Sequence, residues 1–321
     1  MELPTVVEPW LWESFLAAVL VFLCLDLFVF NRKAHVLKFK EAAIWSVFWV
    51  TLAVLFNIWF GFKFGSALGL EFATGYIVEL SLSIDNLFVI LLVFKSLRIQ
   101  PQFQHRVLFW GILGAIIFRG LFIIIGVDLL NKFSWILYVF GVILIASAIK
   151  FLFESDEKKD ITDSWAVKTF KKFVPMTKNT ETQKFFIVED GIRKATPLFL
   201  ALIVIEFTDI IFAVDSIPAV LAVTRDAFVA FASNVLALLG LRSLYFVIAD
   251  WVERFRYLKP GLAAILGFVG VKMLIIDLYH IPSWVSLTVI VMILLTAGLT
   301  SWYASRKSIL TSNPSGGTTS K

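Results

Sequence analysis

The sequence predicts an all-α polytopic membrane protein, and two observations lead to that fold class: the composition and the long apolar segments. Hydrophobic residues make up 59% of the 321 residues, charged residues only 17%, and the mean hydropathy is +0.87. A water-soluble domain of this size carries far more charge. One helical crossing of a bilayer takes about 20 apolar residues. Nine such segments are present, at 11–30, 41–62, 70–94, 107–127, 134–153, 196–223, 227–249, 258–278 and 282–303.

The placement of basic residues predicts the orientation of these spans. Segments 31–40 and 158–194 are rich in Lys and Arg, whereas the loops on the opposite side hold only Lys63, Lys132 and Arg225. Because Lys and Arg are retained in the cytoplasm, we expect an N-out, C-in protein of the cell inner (plasma) membrane, surrounded by lipid. The chain before the first span has no basic n-region, so that span should stay in the mature protein. No pattern favours a nucleic-acid partner.

The middle of the chain aligns with itself. Glu79-LSLSI-Asp85-Asn86 matches Asp209-IIFAV-Asp215-Ser216, Arg119 matches Arg242, and Lys150 matches Lys272. The Arg-to-Lys separation is 31 residues in one unit and 30 in the other. Each unit holds three spans, an odd number, so the second enters the membrane from the opposite side. The sequence therefore predicts a 3+3 inverted repeat, a construction common in secondary transporters.

Six parts of the chain follow from these features. We expect an N-terminal two-span segment (1–69), a first three-span repeat (70–153), a cytoplasmic loop (154–195), a second three-span repeat (196–278), a ninth span (279–303) and a disordered tail (304–321). Within the loop, WAVKTFKKF has the pattern of a surface helix, and the loop is also the expected place for a protein partner.

Ionisable residues concentrate in the third and sixth spans. Each costs roughly 2.5 to 3.5 kcal/mol inside a membrane, and such residues usually mark an ion or proton path. Two arginines face five carboxylates, so bound cations or protons must supply the remaining positive charge. The carboxylates are Glu79, Asp85, Glu206, Asp209 and Asp215, and the charge-compensating arginines are Arg119 and Arg242.

The ligand types in these spans indicate a hard divalent cation. With Asn86 and Ser216 added, the predicted metal ligands are all oxygens, which suits Mg²⁺, Ca²⁺ or Mn²⁺. One cysteine, Cys24, and three scattered histidines give no soft-metal cluster and no dithiol. Nothing resembles a catalytic triad or a phosphate loop, so we expect a protein that is not an enzyme and has no resident cofactor.

Several finer expectations concern single residues. Pro218 should open the helix beside Asp215, because proline removes a backbone donor and clashes with the preceding turn. Lys150 and Lys272 should snorkel to the interface, with a gating role as the alternative. Asn57 and Asn234 should form interhelical hydrogen bonds.

Two segments closely resemble a known family. LSLSIDNLFV at 80–89 and EFTDIIFAVDSIPAVLAVT at 206–224 are similar to the two signature segments of the TerC family of integral membrane proteins, and further stretches resemble its Alx-type members. The resemblance implies an architecture related to LysE-type transporters and export of manganese from the cytosol. It places Asp85, Asn86, Asp215 and Ser216 at the family's acidic motif positions. The family is also associated with tellurium resistance and with membrane redox modulation.

The leading hypothesis is a secondary transporter that exports Mn²⁺ by alternating access, coupled to H⁺, with Mn²⁺ as the transported ion. Mn²⁺ cannot be told from Ca²⁺ by sequence. One alternative is a non-transporting membrane subunit of a stress-resistance or redox-modulating complex, with segment 154–195 as its docking surface. A third is an exporter of organic solutes, which the acidic core disfavours because a substrate carboxylate would face five others.

Overall fold

The computed structural model describes residues 7–25, 39–133, 135–153, 174–177, 182–189, 191–248, 258–279 and 281–311. The side chain of Asp85 lies outside the described part of the chain, and so do the predicted helix at 165–173 and most of the tail. The described residues form nine helices, one at each apolar segment. They are α1 (Pro9–Leu25), α2 (Phe39–Phe64), α3 (Ser66–Ser96), α4 (Pro101–Lys132), α5 (Ile136–Phe153), α6 (Pro197–Leu221), α7 (Ala227–Ile248), α8 (Leu258–Leu274) and α9 (Ser283–Thr311).

Five helical segments in the described ranges are long and apolar enough to cross a bilayer: those of α2, α4, α6 and α7, and Trp284–Ser301 within α9. Three more apolar helices are shorter, at Pro9–Leu25, Ile136–Lys150 and Pro260–Leu274. The protein is therefore a mostly helical, polytopic membrane protein. The count of nine spans stays a prediction.

The interior is organised around α7, whose residues are almost all buried. It packs against α2, α3 and α4. On one side an aromatic cluster fills the core, where Phe228 contacts Phe15, Phe56 and Phe60 at ring-centroid distances of 5.5, 6.5 and 5.8 Å. The enclosure explains why even the polar residues of α7 are shielded from lipid and solvent.

The helices of the two predicted repeats are interleaved. Helix α4 packs on α6, where a β-carbon added at Gly111 would lie 3.5 Å from Ile205 Cγ2. Helix α3 packs on α7, where a β-carbon at Gly75 would lie 2.9 Å from Ser233 Oγ. In the alignment that pairs Glu79 with Asp209, Gly75 is equivalent to Ile205. The two contacts thus fall at nearly equivalent positions of the alignment, and the repeat itself stays a prediction.

The third helices of the two units pack together at a pair of glycines. A β-carbon at Gly141 would lie 3.0 Å from the Gly270 carbonyl oxygen, and one at Gly270 would lie 2.9 Å from the Gly141 oxygen. Further along, a β-carbon at Gly267 would lie 3.8 Å from Ala148 Cβ. Residue numbers along this contact rise in α5 as they fall in α8, so the two helices run antiparallel. The predicted inverted repeat would give them this direction.

Two expectations about local structure are wrong. Helix α6 continues through Pro218 to Leu221, so the proline does not unwind the turn beside Asp215. Pro218 gives up only its own bond to the Val214 carbonyl, and the packing of α6 on α3 and α4 holds the rest of the helix. The fold is also not purely α: Phe186–Glu189 pairs antiparallel with Ile192–Ala195 as strands β1 and β2. The Asp-Gly sequence before Ile192 is a strong hairpin signal, and Gly191 has the positive φ of 76° that such turns use.

Candidate functional site

A buried ion-pair cluster joins three helices at the centre of the bundle. Arg119 of α4 is 1% exposed and donates from Nε to Asp209 Oδ2 at 3.0 Å and from a terminal nitrogen to Asp209 Oδ1 at 2.7 Å. Its other terminal nitrogen donates to Glu79 Oε1. The planar guanidinium thus holds one carboxylate of α6 with two bonds and one of α3 with a third, the geometry that makes such pairs strong.

Two polar side chains of α3 complete this cluster. Asn86 Nδ2 donates to Asp209 Oδ1 at 3.1 Å, and Ser83 Oγ donates weakly to Glu79 Oε1 at 3.4 Å. Asp209 Oδ1 therefore accepts from both Asn86 and Arg119. The structure thus brings Glu79, Asn86, Asp209 and Arg119 together, and their shared role in binding a cation stays a prediction.

Four of the seven predicted metal ligands carry a buried oxygen that has no hydrogen-bond partner among the described residues. Buried polar atoms are almost always bonded, because leaving one unpaired costs free energy. Carboxylate, amide and hydroxyl oxygens are the ligands that hard divalent cations take. The unpaired atoms are Glu79 Oε2, Asn86 Oδ1, Glu206 Oε2 and Ser216 Oγ.

Glu206 of α6 lies against α4 at a glycine. A β-carbon added at Gly114 would overlap the Glu206 carboxylate, so the absence of a side chain at Gly114 makes room for this charge. Glu206 is also within electrostatic range of Asp209. Gly114 thus accommodates a predicted ligand.

A small cavity opens beside the cluster, between α3, α4, α6 and α7. Its volume is about 30 Å³, enough for one or two water-sized species. Most of its wall is apolar, and its polar lining residues are Asn86, Thr208, Asp209 and Arg242. Arg242 is 9% exposed. The second predicted arginine therefore lies near the cluster, beside Asp209 in the same cavity wall.

Asp215 lies apart from the Arg119 cluster. Its Oδ1 accepts a 2.6 Å hydrogen bond from Ser147 Oγ of α5, and Lys150, one turn further along α5, is within electrostatic range. About one and two-thirds turns of helix separate Asp215 from Asp209, so the two side chains point in directions about 120° apart. The structure thus brings Glu79, Asn86 and Asp209 together and directs Asp215 towards a different helix.

No group of three or more His, Cys, Asp or Glu side chains in the described part of the chain is close enough to hold a metal ion alone. The Asp85 side chain is not among these described residues. Arg119 pairs with the carboxylates of both Glu79 and Asp209. A cation entering here would need to compete with the guanidinium for oxygen atoms.

The two predicted lysines differ in environment. Lys150 is exposed, in agreement with a snorkelling side chain. Lys272 of α8 is only 7% exposed, donates from Nζ to Ser286 Oγ of α9 at 3.0 Å, and interacts electrostatically with Glu71 of α3. The snorkelling prediction is therefore wrong for Lys272. Glu71, inside the third predicted span, was missed as a partner although its charge in an apolar segment was the signal.

Comparison with known proteins identifies relatives along nearly the whole chain. Residues 64–308 match the model of the family described as "Integral membrane protein TerC family". A Myxococcus xanthus protein named "Uncharacterized membrane protein STKORF319" is 49% identical over 287 residues, 89% of this chain and 90% of the relative. No solved structure matches significantly.

Two enterobacterial relatives are similar over a greater length. Proteins of Salmonella typhi and Escherichia coli K12, both named "Putative membrane-bound redox modulator Alx", are 43% identical over 308 residues, which is 93% of this chain and 96% of each relative. The family match and these identities cover far more than half of the chain. The protein is therefore a member of the TerC family of integral membrane proteins.

Proposed function

We propose that this protein exports Mn²⁺ from the cytosol as a proton-coupled secondary transporter. The observation that carries the proposal is a set of buried oxygens that have no hydrogen-bond partner among the described residues, on Glu79 and Asn86 of the Arg119 cluster and on Glu206 and Ser216 of α6. A divalent cation would satisfy these oxygens, and carboxylates are otherwise too costly to retain in apolar helices.

The chemistry of the ligands supports a hard cation. All the candidate donors are oxygens, and a soft thiolate or imidazole set has no counterpart at this cluster. The choice of Mn²⁺ among Mg²⁺, Ca²⁺ and Mn²⁺ rests on the resemblance to Alx-type proteins and not on geometry. Competition between these three cations in a transport assay would identify the preferred substrate ion.

Arg119 stabilises the buried carboxylates of the site when no cation is bound. In the structure it pairs with both Glu79 and Asp209, so the empty carrier holds one net negative charge at this point and not two. A divalent cation that binds these carboxylates displaces at least one arginine contact. Protons on the remaining carboxylates, Glu206 and Asp215, would then balance the charge of the returning carrier.

The interleaved packing supports alternating access. Paired contacts of α4 with α6 and of α3 with α7 place the cluster between two similar helix groups. Secondary transporters with inverted repeats bind their substrate at such an interface and rock one group against the other.

A membrane subunit without transport activity is the second candidate. The β1–β2 hairpin favours it, because Val188 and Ile192 are 72% and 55% exposed and could contact a partner protein. The names of the Alx relatives suggest redox modulation, but the single cysteine of this chain, Cys24, has no second thiol to form an intramolecular disulfide with.

Uptake of ⁵⁴Mn²⁺ by purified protein in liposomes, driven by a proton gradient, tests the proposal. Gradient-dependent uptake into vesicles that contain the protein, inhibited by excess unlabelled Mn²⁺, is expected. Uptake no faster than in empty liposomes would favour the subunit, and counterflow of an amino acid would favour the organic-solute exporter.

A further inference from the structure

Asn234 of α7 is a buried amide whose polar atoms are both unpaired. Its side chain is 1% exposed, and neither Nδ2 nor Oδ1 has a hydrogen-bond partner among the described residues. The interhelical hydrogen bond predicted for it is therefore not made there. An unpaired amide in a protein interior is costly, so this position calls for a polar partner other than the described protein groups.

Asn234 lies on the side of α7 that lines the cavity beside the Arg119 cluster. Leu238, Leu241 and Arg242 all contribute to the cavity wall. At about 100° per residue, Leu241 lies about −20°, Leu238 about +40° and Arg242 about +80° from Asn234 around the helix. Asn234 thus falls inside the arc that the cavity-lining residues define.

The depth of Asn234 also matches the cluster. Three residues earlier on α7, Phe231 packs on α4, where a β-carbon added at Gly120 would lie 2.9 Å from Phe231 Cε2. Gly120 directly follows Arg119 in the chain. Asn234 is therefore about one turn further along α7 than the level of Arg119, and one turn before Leu238 in the cavity wall.

We propose that Asn234 is a further ligand of the cation site, contributed by a fourth helix, with its Oδ1 facing the cation held by the carboxylates of α3 and α6. This inference rests on the proposed transport of a hard divalent cation and adds a residue to that site. An amide oxygen is a ligand that such cations accept. Because it is neutral, it completes the coordination shell without the extra charge that would hold a cargo ion too tightly to release.

Mn²⁺ titration of the full-length protein in detergent, followed by thermal unfolding, tests the role of Asn234. Asn234→Leu keeps a similar volume and removes the unpaired amide. We expect its melting temperature without Mn²⁺ to equal or exceed that of the wild type, while its apparent Kd for Mn²⁺ rises at least tenfold. A purely structural residue would not produce these opposite effects.

Asn57 provides a matched control. Its Oδ1 is also buried and has no hydrogen-bond partner within the described ranges, but it lies on α2, near Gly69 of α3 and away from the cluster. Asn57→Leu should bind Mn²⁺ with the wild-type Kd. An equal loss of affinity in both variants would overturn the assignment of Asn234, because the effect would then be a general one of buried amides.

The remaining outcomes separate this inference from the proposed function. Wild-type transport together with an unchanged Kd in Asn234→Leu overturns the role of Asn234 alone. Absence of both Mn²⁺ binding and ⁵⁴Mn²⁺ transport in the wild type overturns the proposed function, and this inference with it. Should Asn234→Leu fail to fold, Asn234→Asp decides: it keeps Oδ1, so its Kd should stay the same or fall, and a raised Kd would overturn the assignment.

Discussion

Ser147 of α5 donates a 2.6 Å hydrogen bond to Asp215 of α6. This contact between the two helices lies six residues along α6 from Asp209 of the Arg119 cluster. The carboxylates that the sequence groups together therefore have two environments. Asp209 faces an arginine and Asp215 faces a serine, so we expect substitutions of the two to have different effects.

Asp215→Asn should stop export but leave Mn²⁺ binding at the Arg119 cluster largely intact. The amide keeps an oxygen that Ser147 can bond and removes only the charge, which a divalent cation passing through a low-dielectric region needs. Export of ⁵⁴Mn²⁺ from cells that lack other manganese exporters, compared with the melting shift of the purified variant, measures both effects. Asp85→Asn should stop export too. Normal export by both variants at matched membrane levels would contradict the transport proposal.

Arg119→Met should destabilise the protein without Mn²⁺. It leaves Glu79 and Asp209 buried and unpaired, and removal of one partner of a buried ion pair costs about 3–5 kcal/mol. Added Mn²⁺ should restore part of the lost melting temperature by supplying the missing positive charge. Arg119→Lys keeps the charge but loses the two-bond contact with Asp209, so its stability should be intermediate.

Mn²⁺ should raise the melting temperature of the wild-type protein in detergent. A ligand at 100 times its Kd stabilises the folded state by about 2.7 kcal/mol through mass action. Zn²⁺, which prefers nitrogen and sulfur ligands, should act more weakly. Identical melting curves with and without millimolar Mn²⁺ would argue strongly against a metal site.

Gly114→Ala should reduce export several-fold, because the new methyl group would overlap the Glu206 carboxylate and displace it. Gly111→Ala is the matched control, one turn earlier on α4, where the added carbon would make an ordinary 3.5 Å contact with Ile205. It should keep its activity and gain stability from the better helix propensity of alanine, by up to about 1 kcal/mol. Equal activity of the two variants would place Glu206 outside the transport path.

Lys272→Met should lower stability more than Lys150→Met. Lys272 is buried between Ser286 and Glu71, and its removal takes one hydrogen bond from Ser286 Oγ and the opposite charge from Glu71, at a cost of about 1–3 kcal/mol. Lys150 is exposed, and surface substitutions usually change stability by no more than about 0.5 kcal/mol. Thermal unfolding of the two purified variants measures the difference. A larger loss of melting temperature for Lys150→Met than for Lys272→Met would contradict this prediction.

The membrane class and the central charged residues could be predicted because both follow from local sequence. Long apolar segments mark helices, and a carboxylate such as Glu79 or Asp209 inside one is expensive enough to require a partner. Which arginine serves which carboxylate depends on how the helices are arranged side by side. Periodicity does not contain that information, and only the structure pairs Arg119 with Asp209.

The wrong predictions share a physical reason. Pro218 was expected to open a helix, but it removes only one backbone bond, and α3 and α4 pack along α6 and keep it helical. Lys272 was assigned to the interface by its distance from a span end, yet α9 and α3 cover that end of α8. In both cases the outcome depended on neighbouring structure that linear position does not reveal.

The interleaving of α3 and α4 with α6 and α7 has a consequence for biogenesis. When the ribosome has completed α5, α3 and α4 are already in the bilayer, but α6 and α7, on which they pack, have not yet been synthesised. Arg119 must then remain in the membrane without Asp209. The early helices thus depend on lipid, the insertion machinery or membrane chaperones until the second half arrives, and a chain that stops before residue 197 should be recognised and degraded by quality-control proteases.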